Sequence, residues 1–178
     1  MKSIMASLCF ILTSCSYHNV YPNKWTTIID TTNINYRSLS GTYEGEGDGS
    51  ELYCNKISSI LNITQNEKET TDNITIVQEE CTSVTISSWH NGSLLGSKNF
   101  SKRDGNLACN KNGLNIKLPV VFKADIYVGF EWDKLILFNA ADESLIVNHI
   151  SSGVGMICII PVGGKVSNWY RLVKTVNR

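Results

Sequence analysis

Apolar and polar residues alternate along much of the chain from position 39 onward, and this spacing predicts β-strands. The clearest alternation lies in residues 73–77 and 83–89, and the pair Asn91-Gly92 follows the second run. An Asn-Gly pair between alternating runs is the strongest short-range signal of a β-hairpin. Further strands are predicted over residues 42–46, 114–118, 121–130, 134–138, 144–149, 154–162 and 168–173.

One segment has helical spacing. Leu52, Ile57, Ile60 and Leu61 share one face of a helix over residues 51–62, with Ser50 as its N-cap. The absence of a strand–helix–strand rhythm excludes a parallel sheet with a nucleotide crevice. The predicted fold is therefore mainly β, an antiparallel β-barrel or β-sandwich with one short helix. Its predicted core residues are Tyr43, Leu61, Ile76, Val84, Ile86, Val121, Ile126, Val128, Phe130, Ile136, Phe138, Leu145, Val147, Ile157, Ile159, Trp169 and Leu172.

The start of the chain combines a positive charge, an apolar run and small residues. Lys2 precedes the apolar residues 4–12, and Thr13-Ser14 follows them. The run is shorter than the roughly 20 apolar residues that a membrane-spanning helix needs. The three features together are typical of a secretory signal peptide.

The residues at the end of this run add a second signal. Leu12-Thr13-Ser14-Cys15 resembles the lipobox of bacterial lipoproteins. The resemblance implies cleavage before Cys15 and attachment of acyl chains, including palmitate, to that cysteine, and two or more chains anchor a protein stably. In Gram-negative lipoproteins the residue after the lipidated cysteine carries the sorting signal. Here that residue is Ser16 rather than aspartate, which favours the outer membrane. The alternative is an ordinary secretory peptide with a chance cysteine.

These signals divide the chain into three parts. Residues 1–14 are predicted to be a lipoprotein signal peptide, residues 15–38 a tether, and residues 39–178 a single β-rich domain. The tether is rich in Asn, Thr, Ser and Tyr, which is typical of a segment that holds a domain away from the bilayer. Alternatively, Trp25 and Ile28-Ile29 dock onto the domain and order part of the tether.

Four cysteines remain after Cys9 and Cys15 are set aside. They lie far apart in the sequence, unlike the close pairs of a zinc site, so disulfides in an oxidising compartment are favoured. Cys81 and Cys109 flank one predicted hairpin region and are the first predicted pair. Cys158 is either a disulfide partner or a buried thiol in an apolar run, and Cys54 is unassigned.

Charge and motif content narrow the classes of function. Lysine and arginine number 16, as do aspartate and glutamate, so no basic surplus favours nucleic acid. No nucleophile elbow accompanies His18, His90 or His149, and no motif calls for a metal or cofactor. We therefore predict a protein that is not an enzyme.

The chain contains Asn-x-Ser/Thr sequences at Asn62, Asn73, Asn91 and Asn99, which indicate a eukaryotic source as the alternative to a bacterial one. In a eukaryotic secreted protein they would accept glycans. The lipobox favours a bacterium.

Two further resemblances follow from short motifs. Residues 39–43, together with residues 160–162 and 169–171, are similar to a group of small uncharacterised Gram-negative lipoproteins. This similarity spans most of the predicted mature chain and implies an envelope lipoprotein without an established activity. Gly41-Thr42-Tyr43 and Arg171 more weakly resemble the lipocalin signature, with Tyr43 in place of tryptophan. That resemblance implies a guanidinium stacked on an aromatic ring at one barrel end, whereas the alternative is an ordinary strand pair.

Two functional classes follow from these expectations. In the first, the protein is a non-enzymatic envelope module, membrane-bound through Cys15, that contacts another envelope protein or the cell wall. In the second, a lipocalin-like barrel holds a small apolar ligand. Bulky inward residues would favour the first class, and a cavity of several hundred Å³ would favour the second.

Overall fold

The structure is a computed structural model that describes residues 14–18, 20–25, 27–28, 38–45, 50–63, 70–110, 113–125 and 127–175. The apolar run of residues 4–12 and the predicted core residue Ile126 lie outside the described residues. Within the described ranges the chain forms eleven strands and one helix: β1 (Ser14–His18), β2 (Gly41–Gly45), α1 (Ser50–Ile60), β3 (Asn73–Glu79), β4 (Ser83–His90), β5 (Ser93–Ser101), β6 (Leu107–Asn110), β7 (Gly113–Lys117), β8 (Val121–Ala124), β9 (Tyr127–Asn139), β10 (Leu145–Ile157) and β11 (Ile160–Lys174).

The strands belong to one sheet. Its main path runs β5-β4-β3-β2-β11-β10-β9-β7-β6, with β1 paired to β11 and β8 paired to β9. The pair of β1 and β11 is parallel, and the other pairs of described strands are antiparallel. This confirms the predicted fold, which is mainly β and antiparallel. Its arrangement as a barrel or as a sandwich stays a prediction. No described helix has both the length and the apolar character needed to cross a bilayer.

Two local predictions are confirmed. Asn91 and Gly92 form the turn between β4 and β5, and both have positive φ angles, 49° and 74°. The predicted helix is α1, which begins at Ser50 and ends at Ile60. It stops near the predicted end because Asn62 takes a left-handed conformation, with a φ of 52°.

The predicted strand over residues 154–162 is wrong, because the chain reverses inside it. β10 ends at Ile157 and β11 begins at Ile160, so Cys158 and Ile159 form a two-residue turn. Cys158 has a φ of 55°, the left-handed region that such hairpin turns use. Since neither turn residue is glycine or asparagine, the sequence carries no turn signal here.

Three strands are longer than the sequence pattern predicts. β9 and β10 have 13 residues each and β11 has 15. β9 continues through the predicted strand 134–138, and the predicted strand 121–130 is divided between β8 and β9. These three strands form the centre of the sheet.

The core lies where α1 packs against β2, β3 and β11. Its side chains come from the helix and from one face of the sheet, including Ile57, Ile74, Phe100 and Leu114. Eight of the predicted core residues are buried: Tyr43, Leu61, Ile76, Val84, Ile86, Leu145, Val147 and Leu172. Ile136, Phe138 and Trp169 are half-buried.

Five predicted core residues are instead exposed. The exposed fraction is 51% for Val121, 48% for Val128, 52% for Phe130, 42% for Ile157 and 81% for Ile159. Alternation marks a face of a strand, and it does not show how far along the strand another element covers that face. Val128, Phe130 and Ile157 lie at the ends of β9 and β10 that extend beyond the core, whereas Val121 lies on the adjacent β8 and Ile159 in the β10–β11 turn.

The structure pairs Cys81 with Cys109, as predicted. Their Cα atoms lie 5.8 Å apart, which suits a disulfide. Cys81 lies in the β3–β4 turn and Cys109 on β6, so the disulfide links two parts of the sheet that are far apart in the strand order. Cys54 is buried on α1, whereas Cys158 is exposed and outside the disulfide, which corrects both alternatives predicted for Cys158.

Part of the predicted tether is ordered against the sheet. Tyr21 makes edge-to-face contacts with Trp25 and Trp169, at centroid distances of 5.6 and 5.2 Å. Trp169 in turn stacks on Phe138. Ile28 forms a β-bridge with the chain just after β9. Ordering of part of the tether, with Trp25 and Ile28 in contact with other residues, is therefore the alternative that the structure adopts, and Ile29 lies outside the described residues.

Removing the disulfide is expected to lower stability. Replacing both Cys81 and Cys109 by alanine should reduce the free energy of unfolding by about 2–4 kcal/mol, because the crosslink closes a long loop in the unfolded chain. Guanidinium chloride titration measures the change, with the exposed Cys158→Ala as the matched control. Non-reducing peptide mapping of the wild-type protein that found either thiol free would contradict the pairing.

Trp169 is expected to hold the docked segment in place. Trp169→Ala removes the ring that Tyr21 contacts, so trypsin should cleave after the exposed Lys24 about tenfold faster. Mass spectrometry of a digestion time course measures the rate. Trp132→Ala, on another part of the sheet, should leave it unchanged, and equal cleavage in all three proteins would contradict the role of this contact.

Candidate functional site

The three long strands extend past the part of the sheet that covers the core. β7 pairs with residues 134–137 of β9, and β2 pairs with residues 172–174 of β11. Beyond these pairs the strands are flanked by β8 on one side and by β1 on the other. We call this extension the distal sheet; it comprises residues 121–124, 127–133, 151–157 and 160–166.

One face of the distal sheet is apolar and exposed. The register places Phe122 beside Phe130 and Phe130 beside Val154, with Val128 beside Met156 in the next row. The two phenylalanine rings are in contact, at a centroid distance of 5.3 Å. All five side chains are between 46% and 57% exposed. We call these five residues the distal apolar face.

The turn between β10 and β11 adds apolar residues at the end of the distal sheet. Ile157, Ile159 and Ile160 are 42%, 81% and 61% exposed. We call these three residues the β10–β11 tip. Ile157 pairs with Tyr127 and with Ile160, so these two isoleucines lie on the face opposite Val128 and Met156. The distal sheet therefore exposes apolar residues on both faces near the tip, and exposed apolar surface of this kind marks a site of interaction with protein or membrane.

The other face of the distal sheet is shaped by glycines. A Cβ atom at Gly129 would lie 2.5 Å from the hydroxyl oxygen of Tyr127, and one at Gly155 would lie 2.5 Å from the ring. The tyrosine therefore lies close against the glycine backbone, which a larger residue would block. Beside it is a concavity of about 300 Å³, open to solvent and lined in part by Glu131 and Val162.

The predicted lipid-attachment residue lies at the edge of the distal sheet. Cys15 is in β1, opposite Gly164 of β11, and His18 is opposite Ser167. Because β1 runs parallel to β11, Ser14 is the β1 residue nearest to the β10–β11 tip. The register thus brings the lipobox cysteine beside the distal sheet.

The predicted pair of Tyr43 and Arg171 is not brought together. Tyr43 is buried in the core, where its hydroxyl donates a hydrogen bond to the carbonyl oxygen of Leu39 at 2.7 Å. Arg171 forms an ion pair with Asp142 and donates a hydrogen bond to Ser144. Since Leu172 points into the core, its neighbour Arg171 lies on the opposite face of β11. The expected lipocalin-like stack is therefore not formed.

Two histidines contact aspartates. His149 Nε2 lies 2.9 Å from Asp133, and its buried Nδ1 has no hydrogen-bond partner in the described part of the chain. His90 Nδ1 lies 3.0 Å from Asp72. The backbone N–H of Asn91 holds the pKa of Asp72 below its usual value, and His90 adds to this. No metal-binding cluster of these residue types occurs among the described residues.

The distal apolar face was missed by sequence reasoning, although its residues were noticed. Its members Val128 and Phe130 are apolar and alternate along the chain, so the sequence pattern predicts them as core residues. The available signal was the interruption of this pattern by the glycine pair Gly153 and Gly155, which supplies no side chains to a core.

Tyr43 is expected to make stability fall in alkaline solution. Burial raises its pKa to about 12, and the charge of Glu143 adds to this. The native protein therefore resists ionisation, and the free energy of unfolding should decline as the pH rises from about 10, the unfolded value, to about 12. Below that window the full contribution is present.

The variant Tyr43→Phe tests this effect. It should show a shallower decline over the same window, and should lose about 1 kcal/mol at neutral pH with the Leu39 hydrogen bond. Chemical denaturation at a series of pH values measures both, with Tyr127→Phe as a control outside the core. Equal slopes for wild type and Tyr43→Phe would contradict the assignment.

Comparison with known proteins gave no family: no protein-family model, curated protein or solved structure matches this chain. The resemblances to small Gram-negative lipoproteins and to lipocalins therefore remain predictions from short motifs. The chain is established as a mainly β protein built on one largely antiparallel sheet.

Proposed function

We propose that this protein is a lipoprotein of the Gram-negative envelope, anchored in the outer membrane by acyl chains on Cys15. Its role is that of a non-enzymatic module that contacts another envelope protein or the cell wall. The sequence Leu12-Thr13-Ser14-Cys15 supports the anchor. The exposed distal apolar face supports a binding role in general, because soluble monomers rarely expose such a surface unless it meets a protein or a membrane.

The surroundings of Cys15 are compatible with an anchor. Cleavage before this residue would leave most of β1 in place, because the strand continues to His18. The cysteine is opposite Gly164, at the edge of the distal sheet and away from α1. Position 15 is therefore in the part of the sheet that α1 does not cover.

The packing of the core favours an interaction module over a binder of a small apolar ligand. Large side chains such as Tyr43, Leu61 and Phe100 are almost fully buried, so the described core is filled rather than hollow. The concavity beside Tyr127 is the observation that favours the ligand-binding alternative. It is open to solvent and includes the charged Glu131, whereas ligand pockets enclose most of their ligand.

Replacing Cys15 tests the anchor. In a Gram-negative host, wild-type protein should incorporate a palmitate analogue and fractionate with the outer membrane. Cys15→Ala should abolish incorporation, because the thiol is the acceptor, and should release protein from the membrane fraction. Cys158→Ala, which removes an exposed thiol elsewhere, should behave as wild type.

The absence of acyl label on the wild-type protein would contradict the proposal. Native mass spectrometry of the purified protein distinguishes the two functional classes. A small lipid that co-purifies without a covalent bond would support the ligand-binding alternative instead.

A further inference from the structure

We propose that the distal apolar face and the β10–β11 tip insert into the interfacial layer of a lipid bilayer. This docking site would hold the domain against the membrane, in addition to any acyl chain. The proposal rests on the proposed function only in expecting a bilayer near this protein. The arrangement of apolar, aromatic and charged residues on the face carries it.

The polarity of this face changes in steps along the strands. The rows nearest the tip contain Val128 and Met156, then Phe130 and Val154. The next row contains the partly exposed Trp132. Proteins at membrane interfaces show the same order, with apolar residues deepest and tryptophan at the level of the headgroups.

Lysines follow the tryptophan on the same face. Lys165 lies in the row of Trp132, since both pair with Ser152. Lys134 lies one row farther from the tip and pairs with Lys117 of β7. The rows are about 7 Å apart along the strands. The lysines are therefore placed to meet anionic headgroups while the apolar rows enter the acyl boundary.

The acidic residues of these strands lie elsewhere. Glu131 and Asp133 alternate with Trp132 along β9, so they belong to the opposite face. Glu131 forms an ion pair there with Lys123. Asp125 lies in the turn between β8 and β9, outside the rows that form the apolar face. The face itself thus combines apolar residues with positive charge.

The entry of the chain into β1 agrees with this orientation. Ser14 is opposite Gly163, three residues from Ile160 at the tip, or about 10 Å along the strand. Position 15 is opposite Gly164, so it lies at the β1 edge within the length of the distal sheet. One membrane plane then accommodates the anchor and the tip.

A bilayer fits this surface better than a second copy of the chain does. A second copy would bring lysines of the same charge to the interface, whereas anionic lipids are complementary to Lys134 and Lys165. The tip also projects beyond the face, since Ile159 is 81% exposed. A bilayer surrounds such a projection, and a flat sheet-to-sheet contact would leave it in water.

The experiment uses full-length chain in which Cys9→Ser and Cys15→Ser prevent acylation. Cys158, in the tip turn and exposed, is labelled with an environment-sensitive fluorophore. Addition of vesicles of phosphatidylethanolamine and phosphatidylglycerol should shift its emission to the blue. The same label at Arg103→Cys, in the exposed β5–β6 turn, with Cys158→Ser, should not shift.

Substitutions identify the surface responsible. Phe122→Ser with Phe130→Ser should weaken vesicle binding by at least about tenfold, because apolar burial is lost. Val77→Ser with Leu94→Ser is the matched control, since these side chains are 53% and 54% exposed on other strands. This control pair should bind as the parent does. Far-UV circular dichroism verifies that all variants remain folded.

The outcomes separate this proposal from the proposed anchor. No shift at Cys158, or equal loss of binding in both double variants, overturns the docking face even if wild-type acylation is intact. A label that is already blue-shifted without vesicles also overturns it, and sedimentation then identifies a second copy or the N-terminal apolar run as the occupant. A blue shift of the label at Cys158, together with no acyl label on the wild-type protein, supports the docking face and contradicts the proposed anchor.

Discussion

The backbone pairing of β9, β10 and β11 is the constraint on which the rest of the structure depends. β10 is hydrogen-bonded to a neighbour on both sides along its whole length, from Leu145 to Ile157. Side chains alternate between faces, so a register shift of one residue would move Leu145 and Val147 from the core to the opposite surface. Burial of the residues near Leu145 fixes the register of these strands. Because the pairing continues without interruption to Ile157, the distal sheet has the same register.

The continuous register explains how the distal sheet is held in one conformation without a core of its own. Leu135, Leu137 and Leu172 are buried below the elements that cover them. Beyond these residues the same strands continue through Gly129 and Gly155, where Tyr127 packs on the backbone. Backbone hydrogen bonds therefore maintain the distal sheet, while Phe130 and Val154 contribute little burial in water. These two side chains would be buried further only by contact with a partner or a membrane.

Contacts between distant parts of the chain complete the domain. The Cys81–Cys109 disulfide joins the β3–β4 turn to β6, which lie near opposite ends of the strand order. On the face away from the core, Tyr21 packs on Trp169 and orders a segment that its composition had marked as a tether. Both contacts link residues that are far apart in the sequence. These contacts reduce the conformational freedom of the segments that they join, and they add little to the core.

The sequence by itself determined the class of the fold and several local features. Alternation predicted strands, Asn91-Gly92 predicted its hairpin, and helical spacing predicted α1. The position of Cys81 and Cys109 on either side of one hairpin region predicted their pairing. These features depend on neighbouring residues or on residue type, which a pattern records directly. The lipobox likewise is a local motif, and its reading needs no tertiary structure.

Only the tertiary structure decided which apolar positions are covered. Phe130 and Phe138 lie on the same face of β9, yet the first is 52% exposed and the second is half-buried against Trp169, because neighbouring elements cover only the second. The turn at Cys158 and the separation of Tyr43 from Arg171 were also decided at this level. A periodic pattern specifies the faces of a strand, but coverage depends on elements that are distant in the sequence.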